Sequence, residues 1–565
     1  MAEAEANRES LLGRMFGPYR VLRGNGNLSL LFGGQVVSAF GDWLYILALV
    51  VLAYDLTGSA TLVAALTFVR LLPYALFLPF SGVLADRGNR KALMILADVG
   101  RGACMLGLLF AVTEETLWIA FPLVFAATAL SSLFNPAMNS VLPAIVGDEE
   151  DLVKANSIWT QMDALSFVLG PALGGALVLL GEPRLAFLIN GLTFFVSAAT
   201  LLFVRVPPRE AAERPEEGEE SWFSETLAGF RFLFRENEGA LAAFTLTITG
   251  IGLMGGAMWT LTVVLAEETF DLGGQGAGFL NAAYGAGGLL GGLLVGAIAP
   301  RLGLGSAFIW GTAISSVVAI LFGLSPAGVL PFVLILALGV SDVFSDVAST
   351  TVLQTGTPDE LLGRVFGAFE STLIFSMLIG SVVIGPLIDL AGPRAATVIL
   401  TLVSVVLLIV CLPSLRRMED ALGVRVFFRQ VPVLASLPHR VIDDFASLVR
   451  LEKLPAGTDI VRQGERGDRL YILKEGEAEV SARGEEGQEV EVATLSKNDY
   501  FGEIALLRDV PRTATVRSLS PVELYSLGRP DFQELLKRSE DLRAAMAGTG
   551  DARYIETQNR LRLRR

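Results

Sequence analysis

Residues 28–53 read LSLLFGGQVVSAFGDWLYILALVVLA, and Asp42 is the only charged residue among them. A helix needs about 20 apolar residues to cross the roughly 30 Å hydrocarbon core of a bilayer. This stretch therefore predicts a membrane-spanning helix. The polar residues before Leu28 contain no apolar signal-peptide core, so we expect this first span to stay in the protein as a helix.

The same pattern recurs along most of the chain. Of the 565 residues, 52% are apolar and 18% are charged, and the mean hydropathy is +0.55, which is too apolar for one water-soluble domain. We therefore expect an all-α membrane bundle of twelve transmembrane helices embedded in a lipid bilayer. The predicted spans are 28–53, 61–84, 92–113, 117–146, 156–180, 185–206, 240–266, 276–299, 306–324, 328–354, 364–390 and 395–413.

Two internal similarities indicate that the bundle is a 6+6 pseudo-repeat. Trp43 precedes Asp55-Leu56 by twelve residues, and Trp259 precedes Asp271-Leu272 by the same twelve, 216 residues further along. The segments NSVLPAIVGDEEDL and TTVLQTGTPDELLG lie 211 residues apart, at corresponding places in the two halves. Duplicated halves are a common device in membrane proteins of this size. Twelve helices without internal symmetry are the alternative interpretation.

Basic residues fall on one side of the predicted bundle. In short loops, an excess of Lys and Arg marks the cytoplasmic side of a membrane protein. An arrangement with a cytoplasmic N-terminus places on that side Arg14, Arg20, Arg23, Arg87, Arg90, Lys91, Arg416 and Arg417. We therefore expect a multi-pass protein of the cytoplasmic (inner) membrane with both termini in the cytoplasm.

Charged side chains inside the spans are candidates for transport or coupling, because each costs about 2.5–3.5 kcal/mol or more at the bilayer centre. Asp42 and Asp163 are the first candidates, and Glu370 is the third. Arg70 also lies near mid-span, where it is placed to pair with Asp42 across the first hairpin. A permanently paired structural carboxylate is the alternative for each of the three acids.

A charge network is predicted near the second and third spans. Asp98 and Arg101 are three residues apart, so they share one helix face and can pair. The segment GVLADR at residues 82–87 resembles the loop motif of the major facilitator superfamily, although Asn89 replaces a glycine usual in that family. The motif's glycine allows close helix packing there, and its charges form a network beside the gate. The resemblance implies that this network comprises Gly82, Asp86, Arg87, Arg90, Asp98 and Arg101.

Further motifs extend the resemblance to residues 28–413. The segment GPALGG at residues 170–175 resembles the GPxxGG motif of exporters in the superfamily, with ordinary small-residue helix packing as the alternative. The phrases LPAIVGDEEDLVKANSI, AFLINGLTFF and GFRFLFREN are similar to its efflux branch, which includes enterobactin-exporter-like and macrolide-efflux-like proteins. The resemblance implies proton-driven efflux of an amphipathic small molecule. A non-transporting membrane receptor or sensor is the alternative, and a channel is disfavoured because no selectivity-filter sequence appears.

Beyond Arg417 the pattern changes to short helices followed by alternating strands, which predicts an α+β domain with a small β-barrel. Residues 501–516 of this domain read FGEIALLRDVPRTATV. Gly502 permits a tight turn into a short helix whose first amides, with the guanidinium of Arg512, suit an anionic phosphodiester. Glu503 is an acceptor of the right reach for a ribose hydroxyl.

The same stretch is very similar to the phosphate-binding cassette of cyclic-nucleotide-binding domains, and the resemblance covers residues 426 to about 540. It implies a regulatory cyclic nucleotide, with cAMP favoured and cGMP kept open by Thr513. Soluble domains of this family often dimerise, so a homodimer is a further expectation. A barrel that binds nothing is the alternative. The implied ligand-binding residues are Gly502, Glu503, Ile504, Ala505, Arg512 and Thr513.

Composition argues against several other classes of protein. Two cysteines and one histidine suggest no metal site, and a net charge of −14 argues against a nucleic-acid partner. We find no nucleophile–base set, so we expect neither an enzyme nor a cofactor other than the regulatory nucleotide. The predicted organisation is an N-terminal segment (1–27), a first six-helix half (28–206), a central loop (207–238), a second six-helix half (239–413), a linker (414–426), the nucleotide domain (427–540) and a basic tail (541–565).

Overall fold

The computed structural model describes residues 20–87, 89–146, 149–206, 229–234, 240–357, 361–435, 437, 439–483 and 489–563. These residues form two compact units. The membrane unit holds the apolar helices up to Leu415, and the C-terminal unit holds the chain from Arg416 onward. Most of the predicted N-terminal segment and central loop lies outside the described residues.

The membrane unit is built from helices. Among the described residues, twelve helices are long and apolar enough to cross a membrane, which confirms the predicted all-α bundle. A π-helical turn, Leu265–Thr269, follows the seventh of them. In chain order the helices are α1 Arg20–Gly24, α2 Gly26–Thr57, α3 Ala60–Arg87, α4 Arg90–Gly107, α5 Ala120–Val146, α6 Glu149–Leu179, α7 Pro183–Phe203, α8 Ala240–Val264, α9 Gly273–Leu302, α10 Leu304–Leu324, α11 Leu330–Gly356, α12 Leu362–Ala391 and α13 Pro393–Gln430.

The GPxxGG segment brings α6 into close contact with α9. A Cβ atom added to Gly175 would lie 2.9 Å from the backbone oxygen of Gln275, and one added to Gly278 would lie 2.6 Å from the backbone oxygen of Pro171. Such separations are tighter than real Cβ contacts, so only glycine fits at these two points. Backbone-to-backbone packing of this kind is how small residues hold membrane helices together. The motif thus joins a helix of the first six to a helix of the last six.

The C-terminal unit contains two antiparallel four-stranded sheets, with strand orders β1-β8-β3-β6 and β2-β7-β4-β5. Leu473 and Leu524 of the first sheet and Val516 of the second belong to one buried core, so the sheets face each other as the small barrel that was predicted. The strands are β1 Arg450–Leu454, β2 Asp459–Val461, β3 Arg469–Glu475, β4 Ala478–Arg483, β5 Glu489–Leu495, β6 Tyr500–Phe501, β7 Thr515–Ser518 and β8 Val522–Gly528.

Helices flank these sheets and complete a second core. Phe428, Phe445 and Phe532 are buried there together with Tyr525 of β8. The helices are α14 His439–Leu448, α15 Glu503–Leu507, α16 Arg529–Arg538 and α17 Glu540–Leu563. The α+β class of this unit therefore agrees with the sequence prediction.

Two segments differ from the predicted organisation. Residues 414–426, predicted as a linker, belong to α13, and residues 541–563, predicted as a tail, form most of α17. Leu542 and Met546 of α17 are fully buried and lie four residues apart, which puts both on one helix face. That apolar pair explains why the segment folds onto the domain, whereas its basic end had suggested a solvated tail.

Candidate functional site

A polar cavity of about 200 Å³ lies among α2 to α6 in the membrane unit. It brings together Asp42, Asp163 and Arg70, three of the four predicted coupling residues, and adds Arg101. Two carboxylates and two guanidinium groups line this first cavity, and one of the guanidinium groups, that of Arg101, is paired with Asp98 outside the lining. The expected pairing of Asp42 with Arg70 is not formed between these described side chains; the Asn190 amide donates instead to Asp42 Oδ1 over 3.4 Å.

The predicted pair of Asp98 and Arg101 forms a buried ion pair in the structure. The Ser197 hydroxyl donates to Asp98 Oδ2 over 2.6 Å. The Arg101 guanidinium also lies 4.6 Å from the ring centroid of Phe134 and 4.3 Å from that of Phe194. Three kinds of contact therefore hold this pair in place.

The remaining residues of the predicted gate network lie at the junction of α3 and α4. Arg90 donates to the backbone oxygen of Ser140 over 3.1 Å. Gly82, Asp86 and Arg87 belong to the last turns of α3, and their side chains lie outside the described part of the structure. The network itself therefore stays a prediction.

Glu370, the third coupling candidate, is exposed on α12 and lines neither cavity of the membrane unit described here. A different acid, which is not among the predicted coupling residues, does line a cavity. A second cavity, of about 280 Å³, is lined by residues from both halves of the bundle and contains one carboxylate, that of Asp342. Tyr284 donates to Asp342 Oδ2 over 2.8 Å, and Ser315 donates to Oδ1 over 2.5 Å.

One side chain lines both membrane cavities. Trp43 of α2 borders the first and the second cavity, and its ring stacks on that of Trp259 of α8 at 6.0 Å between centroids and 17° between planes. These two tryptophans occupy the same place in the two sequence repeats. The pseudo-symmetric positions thus meet where the halves of the bundle come together.

The C-terminal unit contains a third cavity, of about 290 Å³, which is close to the lower end of ligand pockets, about 300 Å³. All six predicted nucleotide-binding residues line it. Gly502 sits at φ +91°, and a Cβ atom there would lie 2.4 Å from Arg512 Nη1. Both the left-handed backbone and the space available therefore require glycine at this turn.

Arg512 is 5% exposed and is held over the turn by the surrounding backbone. Its Nη1 donates to the Gly502 oxygen over 2.9 Å, and its Nη2 donates to the Arg469 oxygen over 2.7 Å and to Asp468 Oδ1 over 3.4 Å. These contacts use three of the five N–H groups of the guanidinium. Arg512 also lines the cavity, so its guanidinium places a positive charge there.

Glu503 is 2% exposed, and its charged neighbour comes from the segment that was predicted to be a basic tail. Arg553 of α17 lies 3.4 Å from Glu503 Oε1 and lines the same cavity. Burial raises the pKa of the Glu503 carboxyl, and the Arg553 guanidinium opposes that shift. Leu542 and Met546 lie on one face of α17, and this apolar spacing is the signal in the sequence that could have predicted a helix packed on the domain.

Comparison with known proteins agrees with this geometry. The family model of the Major Facilitator Superfamily matches residues 31–375. The chain belongs to this superfamily. Its membrane unit is similar to macrolide efflux protein A of Streptococcus pyogenes, with 28% identity over 64% of this chain and 89% of that protein. It is also similar to the enterobactin exporter EntS of Escherichia coli O1:K1 / APEC, with 29% identity over 66% of this chain and 85% of that protein.

The C-terminal unit of this superfamily member carries a second family match. The family model of the cyclic nucleotide-binding domain matches residues 451–539. This part of the chain is 41% identical to the cAMP-dependent protein kinase regulatory subunit of Yarrowia lipolytica over 110 residues, which are 20% of this chain and 28% of that protein. The protein is therefore an exporter-like multi-pass membrane transporter that carries a cyclic-nucleotide-binding domain.

Proposed function

We propose that this transporter is a proton-coupled exporter of an amphipathic small molecule and that cyclic nucleotide, cAMP in preference to cGMP, regulates it through the C-terminal domain. It acts in the cytoplasmic membrane with both termini in the cytoplasm. The observation that carries the transport part is the first cavity, where Asp42 and Asp163 share one polar space inside an apolar bundle. A passive anchor has no need of such costly groups.

Proton coupling rests on the arrangement of charges in that cavity. Asp42 and Asp163 share the cavity with Arg70, while Arg101 is paired with Asp98, so protonation of either acid changes the net charge of the cavity. That change in balance alters the relative stability of bundle conformations, which is what coupling requires. The relatives support export rather than import, since one is named for macrolide efflux and another for enterobactin export.

Inverted membrane vesicles that contain the full-length protein test the transport proposal. Acidifying the vesicle lumen should drive accumulation of at least one probe from a panel of ethidium, chloramphenicol and taurocholate, which are a cation, a neutral molecule and an anion. A protonophore should abolish that accumulation, and the double variant Asp42→Asn with Asp163→Asn should uncouple it. If wild-type vesicles accumulate none of the probes, or if the variant keeps gradient-driven transport, the proposal is wrong.

Nucleotide regulation rests on the third cavity. A buried guanidinium with two N–H groups to spare suits a singly charged cyclic phosphate, and the buried Glu503 carboxylate suits a ribose 2′-hydroxyl. Val480, Val492 and Leu495 add an apolar wall for a base. Nucleotide changes transport if its affinity differs between the outward-open and inward-open states.

Calorimetry on the full-length protein in lipid nanodiscs tests this part. Wild-type protein should bind cAMP more tightly than cGMP, and Arg512→Ala should weaken both by about 100-fold, because a buried charge-assisted contact is lost. Arg462→Ala is the matched control, since that arginine is two-thirds exposed at the surface of the same domain. Absence of heat with either nucleotide would refute a binding role.

Three further expectations belong to the same proposal. The net charge of −14 disfavours nucleic acid as a partner. We assign no catalytic step and no cofactor beyond the nucleotide. A homodimer, expected from the habit of soluble cyclic-nucleotide-binding domains, is tested by mass photometry of the nanodisc sample with and without cAMP.

A further inference from the structure

The second membrane cavity differs from the first in its charge. Its volume is about 280 Å³, and among the described residues that line it Asp342 is the only acidic or basic side chain. The first cavity, by contrast, holds two acids and two arginines. One negative charge in the second cavity is therefore left without a basic side chain in the same lining.

Hydroxyl groups hold the Asp342 carboxylate in place without neutralising it. Tyr284 donates to one oxygen over 2.8 Å and Ser315 to the other over 2.5 Å. A carboxylate has about four acceptor sites, so roughly half of them stay available. A charge stabilised in this way by neutral donors is still costly in an apolar bundle until a cation arrives.

Aromatic rings and thioethers form much of the remaining wall. Trp259 stacks on Trp43, Trp43 packs against Phe167 at 4.6 Å in an edge-to-face pair, and Phe167 lies 5.9 Å from Tyr284. The chain of rings therefore ends on the tyrosine that holds Asp342. Ring faces attract cations, and three methionines in the lining can adapt to an irregular apolar shape.

We propose that the second cavity is a substrate site for amphipathic organic cations, such as protonated amines or quaternary ammonium groups attached to an apolar body, with Asp342 as the group that recognises the positive charge. This inference rests on the proposed export function and names the substrate class. A proton alone does not explain the site, because a proton needs neither a cavity of about 280 Å³ nor an aromatic wall.

Equilibrium dialysis of the full-length protein in detergent tests the inference with two matched radiolabelled probes. Benzyltrimethylammonium is an aromatic cation, and benzylsulfonate places a negative charge at the same distance from the same ring. Wild-type protein should bind the cation at least about tenfold more tightly than the anion, and Asp342→Asn should remove most of that preference. Asp342→Glu, which keeps the charge, should restore it in part.

Asp346→Asn is the matched control. Asp346 lies one turn further along α11, is exposed and is not part of the cavity lining, so its loss should change the cation preference much less than the loss of Asp342 does. Size-exclusion chromatography and thermal unfolding check that each variant is folded. If Asp342→Asn does not fold, the comparison of the two probes on wild-type protein decides alone.

Equal binding of cation and anion by wild-type protein, or an unchanged cation preference in folded Asp342→Asn, overturns the inference. Those outcomes are separate from failure of the export proposal. Gradient-driven transport of chloramphenicol or taurocholate, together with equal binding of the two dialysis probes by wild-type protein, keeps the exporter and removes the cation site. Binding of the cation without gradient-driven transport of any probe removes the exporter and keeps the cation site.

Discussion

The membrane unit and the cyclic-nucleotide-binding domain bury opposite charges in different ways. In the membrane unit, Asp98 and Arg101 contact each other directly, and Ser197 takes a further acceptor site of Asp98. In the domain, Glu503 and Arg512 are equally buried, but each has only a long contact of 3.4 Å to a more exposed charged partner. Both arrangements are buried, and only the second lacks a close contact between oppositely charged side chains.

This difference separates structural charges from ligand-binding ones. A closed pair loses stability when one member is removed, because the other is left uncompensated in the interior. Removing a charge that has no close charged partner lowers the free energy of unfolding by less. Its removal lowers the affinity for the ligand instead. The predictions below test that distinction in descending order of effect.

Asp98→Ala should lower the free energy of unfolding of the membrane unit by about 3–5 kcal/mol, since Arg101 would stay buried without its partner. The measurement is equilibrium unfolding in mixed detergent micelles. The double variant Asp98→Ala with Arg101→Met should recover a large part of the loss, because it removes both charges. A single variant as stable as wild type would show that the pair is not the structural contact inferred here.

Gly502→Ala should destabilise the domain by about 1–3 kcal/mol and also weaken nucleotide binding. The new methyl group would meet Arg512 Nη1 at 2.4 Å and the Arg469 oxygen at 2.9 Å, in addition to the strain of φ +91°. Gly464→Ala is the control, because Gly464 has φ +89° with no atom near its Cβ position. Chemical denaturation and calorimetry of both variants separate backbone strain from crowding of Arg512. If both variants lose the same nucleotide affinity, crowding of Arg512 is not the cause.

Arg553→Ala should reduce cAMP affinity by about tenfold, and the loss should grow as the pH falls from about 8 to 6. Burial already raises the pKa of Glu503, and Arg553 opposes that rise. Without the guanidinium the carboxyl takes up a proton at higher pH and then no longer accepts from a ribose hydroxyl as an anion. Calorimetry across this range is the measurement, with Arg538→Ala on the exposed face of α16 as the control. A loss that is independent of pH would contradict the assigned role.

Asp459→Asn should leave nucleotide affinity unchanged and alter the melting temperature least of all. Hydrogen bonds from Arg517 and Arg462 lower the pKa of this partly buried carboxyl. Any stabilisation from it is present above the unfolded-state pKa of an aspartate and disappears as the pH falls through the lowered folded-state value. Thermal melts at neutral and acidic pH check this sign. A large loss of affinity would show that surface pairs also control the pocket.

Much of the architecture follows from local sequence. Twelve apolar runs predict twelve spans because the thickness of the bilayer fixes their length. Residues 501–516 supply half of the residues that line the nucleotide pocket, including all six predicted binding residues, so these contacts are encoded within one short segment. Arg553 lies outside that segment, and only the packing of α17 brings it to Glu503.

The second cavity could not be predicted in the same way. Its lining extends from Trp43 to Ser404, and the side chains converge only after α2, α6 and six later helices have packed. In the sequence, Asp342 is one intramembrane acid among several, without a basic residue at helical spacing to suggest a role. Glu370 was predicted to be a coupling residue because it is an acid within a span, yet it is exposed on α12. The presence of an acid in a span does not tell which side of the helix the side chain lies on.

The stacked Trp43 and Trp259 rings have a practical consequence. One belongs to the first six helices and the other to the last six, at 6.0 Å between centroids. Any rearrangement that slides or tilts one set of helices against the other changes the electronic coupling of the two indoles. In a variant that keeps only these two of the six tryptophans, the intrinsic fluorescence and near-UV circular dichroism of the indole pair would therefore report the conformational cycle without an attached dye.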